Sequence, residues 1–173
     1  IRLRQMKFSF DRIRNIFISH LHGDHFYGLP GFISTRNLMG IKSDLHIWSH
    51  SDLIQLLDPL LEHLKEDLGF RLVFHPLNFK KPDQIYSDEK LEVWSFPLSH
   101  RISCCGFLFR EKPLLPNLDR EKCRFYQIPV SKLRAIKEGA DYTDENGRVI
   151  PYVNLIHPPV KPRSYAFCTD TIP

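Results

Sequence analysis

The chain has 173 residues, 42% of them hydrophobic, and carries 24 Lys and Arg against 20 Asp and Glu for a formal net charge of +4. That length can bury a core and by itself favours one domain, and the mild basic excess is compatible with a polyanionic partner. Four cysteines form neither a CxxC pair nor the framework of a secreted scaffold, and no apolar run reaches the eighteen or so residues that span a bilayer, so a soluble cytosolic protein with reduced thiols is expected.

Ile13 to Ser19 is rich in β-branched and aromatic residues and reads as a short buried strand ending at His20. His20, His22, Asp24 and His25 then crowd into six residues, with Gly23 offering a position free of Cβ restriction about which they can converge. Alternation puts His20 and His22 on one side as a chelating pair, while Asp24 and His25 face a second point. Two metal ions are implied. Imidazole nitrogens and a carboxylate suit zinc or a similar first-row ion, and such a pair is suited to activating water against a phosphate or acyl group. The alternative is a polar loop whose histidines merely cap strand ends.

Downstream, "FYGLPGFISTRNLMG" has apolar residues at helical spacing and closes with Gly40 as a C′ position. "DLHIWSH" reads as a strand, Asp52 to Leu68 as an amphipathic helix ended by Gly69, and "FRLVFHPLNF", "KLEVWSFPLSH", "CCGFLFRE" and "RSYAFCTD" as further strands. His100 and Asp170, like His20, sit at the ends of apolar runs, a placement that lets them meet over one edge of a sheet. His46, His50, His63, His75 and His157 read as ordinary surface or core histidines, and the cysteines as small buried apolar groups. Arg120 to Lys137 holds six basic residues against one acid, with Phe125 and Tyr126 between them. On composition alone it is a solvated amphipathic helix from a Ser131 cap to Gly139.

The run His20-Leu21-His22-Gly23-Asp24-His25 is the His-x-His-x-Asp-His signature of the metallo-β-lactamase superfamily. With "FYGLPGFI", "LSHRISCCGFLF" and "SYAFCTDTIP", essentially the whole chain resembles the ribonuclease Z family of tRNA 3′-processing endonucleases. The resemblance implies an α/β fold, a metallo-β-lactamase-type αβ/βα four-layer sandwich, present here as a partial domain over 1–173 without its first strands and its C-terminal part. It implies two zinc ions, one taking His20, His22 and His100, the other Asp24 and His25, with Asp170 bridging and Asp24 as a proton acceptor. No histidine follows Asp170 to complete the second site, and the family's segment that helps protonate the leaving group is absent.

Residues 112–140 fall where that family inserts a protruding tRNA-binding arm, which would assign Arg124, Lys132, Arg134 and Lys137 to phosphates. The implied protein is a cytoplasmic homodimer, not membrane-bound, that removes 3′ trailers from precursor tRNA and leaves a 3′-hydroxyl. Two other readings stay open: another phosphodiesterase or thioesterase of the same fold, or a non-catalytic RNA-binding fragment.

Overall fold

The structure, a computed structural model, describes residues 2–65 and 67–172; the side chains of residues 2, 4 and 63–65, and with them the expectation for His63, lie outside the described residues. The chain separates into two compact units, the first made of Ile1–Ser87, Glu92–Phe109 and Tyr165–Pro173, the second of Asp88–Leu91 and Arg110–Ser164.

In the first unit a short helix α1 (Arg2–Gln5) and a 3-10 turn at Phe10–Arg12 precede strand β1 (Asn15–Phe17). The four-residue helix α2 (Gly23–Phe26) and helix α3 (Gly28–Leu38) follow, then β2 (Leu45–Ser49), helix α4 (Leu53–Lys65) and β3 (Leu72–Pro76). The three strands pair in parallel in the order β1-β2-β3, with Ile16 opposite Ile47 and Ile47 opposite Phe74. Parallel neighbours need long crossovers, which α3 and α4 supply.

Alternation along β2 buries Leu45, Ile47 and Ser49, and the two apolar residues join Ile33 of α3 and Leu53, Leu57 and Leu61 of α4 in one core. The four-residue spacing of those leucines keeps one face of α4 buried through Pro59, whose missing N–H costs the helix an internal hydrogen bond. Gly40 ends α3 with φ +69°, the left-handed C′ conformation the sequence predicts.

The other face of this sheet is aromatic. Phe17 stacks on Trp48 at 5.9 Å and meets Phe107 and Phe109 at 5.5 and 5.4 Å. The two phenylalanines belong to β6 (Cys104–Glu111) in a second sheet of order β4-β5-β6-β9, where β4 is Asp83–Ser87, β5 Leu91–Leu98 and β9 Ser164–Phe167. Strand β4, "DQIYS", escapes the sequence reading because its side chains are mostly exposed and polar; its antiparallel pairing with β5 makes it a strand. Gly106 lets β6 approach both neighbours, since a Cβ there would meet the Phe96 ring at 2.6 Å and the Phe167 carbonyl at 3.0 Å.

Helices, sheet and sheet thus form three layers of a metallo-β-lactamase-type α/β fold. A second helical layer is not among the described residues.

The second unit has its own small core of Cys123, Ile128, Ile136, Ile150 and Leu155. Around it lie α5 (Arg120–Phe125), α6 (Val130–Lys137) and a two-residue hairpin pair, β7 (Tyr142–Thr143) and β8 (Val149–Ile150). The helix expected from Ser131 to Gly139 is α6, and α5 precedes it as a second, unexpected helix. Asp119 caps α5 by accepting hydrogen bonds from the backbone N–H of Glu121 and Lys122, whereas Ser131 lies inside α6 and Pro129 occupies the cap position. Gln127, with φ 50°, and Pro129 break the run between them.

Candidate metal centre

Four elements of the first unit deliver the predicted ligands. His20 and His22 follow β1, with His22 at the N-cap of α2; Asp24 and His25 lie in its single turn; His100 follows β5 and Asp170 follows β9. Backbone hydrogen bonds fix how these ends meet. Cys105 N–H donates to Ser19 C=O at 3.0 Å, tying β6 to the residue before His20, and Ile172 N–H donates to Ser99 C=O at 2.9 Å, tying the segment of Asp170 to that of His100. Asp170 itself has φ 54°, a left-handed conformation that asparagine and aspartate tolerate best and that turns its carboxylate away from the path of the strand.

Gly23 plays a different part from the expected one. It begins α2 without a positive φ, and its missing Cβ leaves room for the exposed Tyr27 ring one turn later, which would have to move aside for a larger residue.

The imidazole nitrogens converge. His20 Nε2 lies 3.0 Å from His22 Nδ1, and His100 Nε2 lies 3.3 Å from the same atom. Asp170 Oδ2 is 3.2 Å from His20 Nε2 and 3.0 Å from His25 Nε2, and His25 Nε2 is 3.4 Å from Asp24 Oδ2. One donor atom from each of His20, His22, His100 and Asp170 lies within 4.8 Å of all the others.

A tetrahedral ion with bonds of about 2.1 Å keeps its donors about 3.4 Å apart, so three nitrogens and one carboxylate oxygen at these separations fit a divalent cation in both spacing and chemistry. His20 is fully buried, and burial followed by the neighbouring His25 and His22 rings holds its pKa below the usual value, which favours the neutral form that ligates. Asp24, in contrast, is 81% exposed at its side chain.

The nearby thiols are protonated in the metal-free protein. Burial pushes Cys105 up to about 12 and raises Cys104, so both stay protonated at neutral pH. Cys104, Cys105 and Cys123 are buried as expected, but Cys168, just after the exposed strand β9, is exposed.

Sequence reasoning missed Ser19, whose Oγ is 3.0 Å from His20 Nδ1, and the left-handed backbone of Asp170; away from the site it also missed that His46 and His75 pair at 2.9 Å across β2 and β3, beside Trp48. Only the position of Ser19 next to His20 could have pointed to any of these.

The four expected RNA contacts are distributed over both helices of the second unit. Arg124 is exposed on α5, and Lys132, Arg134 and Lys137 lie on α6, where Arg134 pairs with Glu138 at 3.0 Å. Arg120, Arg124 and Lys137 line a groove together with Leu118, Cys123 and Leu133.

A family model described as "Anti-Pycsar protein Apyc1" matches residues 1–123, which include the whole His20–His25 loop and His100. The chain belongs to this family. Its curated relatives include proteins named Ribonuclease Z: that of Bacteroides thetaiotaomicron is 45% identical over 172 residues, 99% of this chain and 54% of the relative, and that of Porphyromonas gingivalis 41% over 168 residues, 97% and 55%. The crystal structure of human tRNase Z, short form (ELAC1), is 30% identical with a TM-score of 0.55 over 62% of this chain and 49% of that one. The resemblance to ribonuclease Z read from the motifs is therefore borne out, and so is the fold. The chain spans about half the length of the curated relatives it matches. Among the described residues no helix is long and apolar enough to cross a membrane.

Proposed function

We propose that this chain carries the metal-binding part of a zinc-dependent endoribonuclease that removes 3′ trailers from precursor tRNA. The observation that carries the reading is the single oxygen, Asp170 Oδ2, that lies 3.2 Å from His20 Nε2 and 3.0 Å from His25 Nε2. His20, His22 and His100 would hold one zinc ion, Asp24 and His25 a second, and Asp170 both. Zinc bound there would supply Lewis acidity toward a phosphodiester and make water a nucleophile at neutral pH.

The protein's own groups do the rest. Buried His20 and the backbone ties behind it hold the donor atoms in place, so little reorganisation accompanies the reaction. Exposed Asp24 accepts the proton of the attacking water and can pass it to solvent. The product strand ends in a 3′-hydroxyl.

Residues 112–140 serve in this reading as the arm that grips the body of the tRNA, with Arg124, Lys132, Arg134 and Lys137 on phosphates. A homodimer, in which the arm of one subunit serves the site of the other, and a cytoplasmic location complete the proposal. A second reading, hydrolysis of a smaller phosphodiester, is favoured by the family match, which includes the His20–His25 loop but stops at residue 123, short of α6.

Incubating the full-length protein with a 3′-extended tRNA precursor, with and without a chelator, tests both. Chelator-sensitive release of the trailer supports the first reading. Cleavage confined to small phosphodiesters favours the second.

A further inference from the structure

His20 presents two nitrogens to two different environments. Nε2 faces His22 Nδ1 at 3.0 Å and Asp170 Oδ2 at 3.2 Å, the cluster that would hold the cation. Nδ1 faces the protein interior, with Ser19 Oγ at 3.0 Å and Cys104 Sγ at 3.7 Å. A neutral imidazole carries one proton, and where it sits decides whether Nε2 is a ligand or a donor.

Two arrangements compete. With the proton on Nε2, His20 donates to Asp170 and its lone pair points inward at Nδ1. With the proton on Nδ1, His20 donates to Ser19 Oγ, and Nε2 is open toward the cation.

The surroundings of Nδ1 favour acceptance there. Cys104 Sγ lies 3.9 Å from Thr169 C=O, to which its S–H can donate, and 3.7 Å from His20 Nδ1, so the sulfur is free to accept there. Ser19 is only 2% exposed, and its carbonyl is already engaged by Cys105 N–H, so its position does not depend on the hydroxyl. Thr169 immediately precedes Asp170, so this small network links the backing of one ligand to the backbone of another.

We propose that Ser19, assisted by Cys104, is a positioning residue that holds His20 as the Nδ1–H tautomer and thereby presents an unprotonated Nε2 to the metal. This rests on the reading that His20 is a metal ligand. It adds two buried residues that touch neither substrate nor metal.

The test uses the full-length protein stripped with chelator, and two readouts. Long-range proton–nitrogen NMR of the metal-free protein should show His20 protonated at Nδ1, shifting toward Nε2 in Ser19→Ala. Zinc titration in competition with a chromophoric chelator should show affinity falling about 10- to 100-fold in Ser19→Ala. Ser19→Thr, which keeps the hydroxyl, should stay close to the parent, and Cys104→Ala should fall between. Should Ser19→Ala fail to fold by circular dichroism, the parent tautomer and the Cys104→Ala and Ser19→Thr affinities carry the decision. A parent protonated at Nε2, or a Ser19→Ala protein that binds zinc as tightly as the parent, overturns the proposal. A parent that takes up no zinc would instead sink the functional reading, while the tautomers of the two proteins still judge Ser19.

Discussion

The ligand cluster of the first unit and the basic helices of the second use charge-bearing side chains in opposite ways. The cluster turns His20, His22, His25 and His100 inward, onto donor atoms about 3 Å apart, beside the core that the parallel sheet forms with α3 and α4. The helices turn Arg124, Lys132 and Arg134 outward from a core of a few apolar residues. The first arrangement depends on geometry, where an ångström matters; the second depends on the sum of charge, where it does not. A cluster of the first kind needs a rigid scaffold. A charged surface needs only to be displayed.

The largest effect should come from the cluster. Asp24→Ala should lower cleavage of precursor tRNA by about 10²- to 10⁴-fold, as expected for a general base, while tRNA binding by filter retention persists. Full turnover in that variant with metal content intact would remove Asp24 from its role.

Next come the two cores. Leu57→Ala and Ile136→Ala each delete a fully buried aliphatic side chain, at a cost of about 2–5 kcal/mol. If the units melt independently, calorimetry should show two transitions, with Leu57→Ala lowering one and Ile136→Ala the other. A single transition moved equally by both would erase the distinction between the regions.

A graded effect is expected of the helices. Neutralising Arg124, Lys132, Arg134 and Lys137 together should reduce the log–log salt slope of tRNA binding by up to about four. Hydrolysis of bis(p-nitrophenyl) phosphate should stay near the parental rate. Loss of both activities would mean that the segment supports the fold, and loss of neither would make it a solvated surface. Because Arg134 already pairs with Glu138, it should contribute least of the four.

The smallest effect belongs to an exposed pair in the first unit. A hydrogen bond from Arg71 holds the Asp44 carboxyl below its ordinary 3.8. With the folded pKa depressed, its contribution to stability is present above the unfolded value and is lost as pH falls through the folded one. The parent should therefore lose melting temperature in acid slightly more steeply than Asp44→Asn, and identical acid limbs would mean that the pair contributes nothing.

The metal loop was legible because its information is local. Four ligand-type residues in six positions after a strand specify chemistry before any fold is known. The helices α3 and α4 were legible for a related reason, since leucines at four-residue spacing and a glycine at the C′ position encode one buried face and one stop. Where the signal is not local, reading failed. Strand β4 has no apolar alternation and exists because β5 pairs with it. In the basic segment α6 was legible but α5 was not, since the apolar residues of α5 and α6 pack with Ile150 and Leu155 from further along the chain.

The sequence alone thus determined which groups could ligate, that His100 and Asp170 stand at strand ends, and that the chain resembles ribonuclease Z. Tertiary structure decided that His20, His22, His100 and Asp170, spread over 151 positions, bring one donor atom each within 4.8 Å of the others, because only sheet pairing and long-range backbone bonds bring the ends of β1, β5 and β9 together. It also decided that the Tyr27 ring lies over Gly23, and that Ser19 and Cys104 stand behind His20. Such facts depend on distances between atoms far apart in the chain, and no pattern of residue types along it encodes a distance.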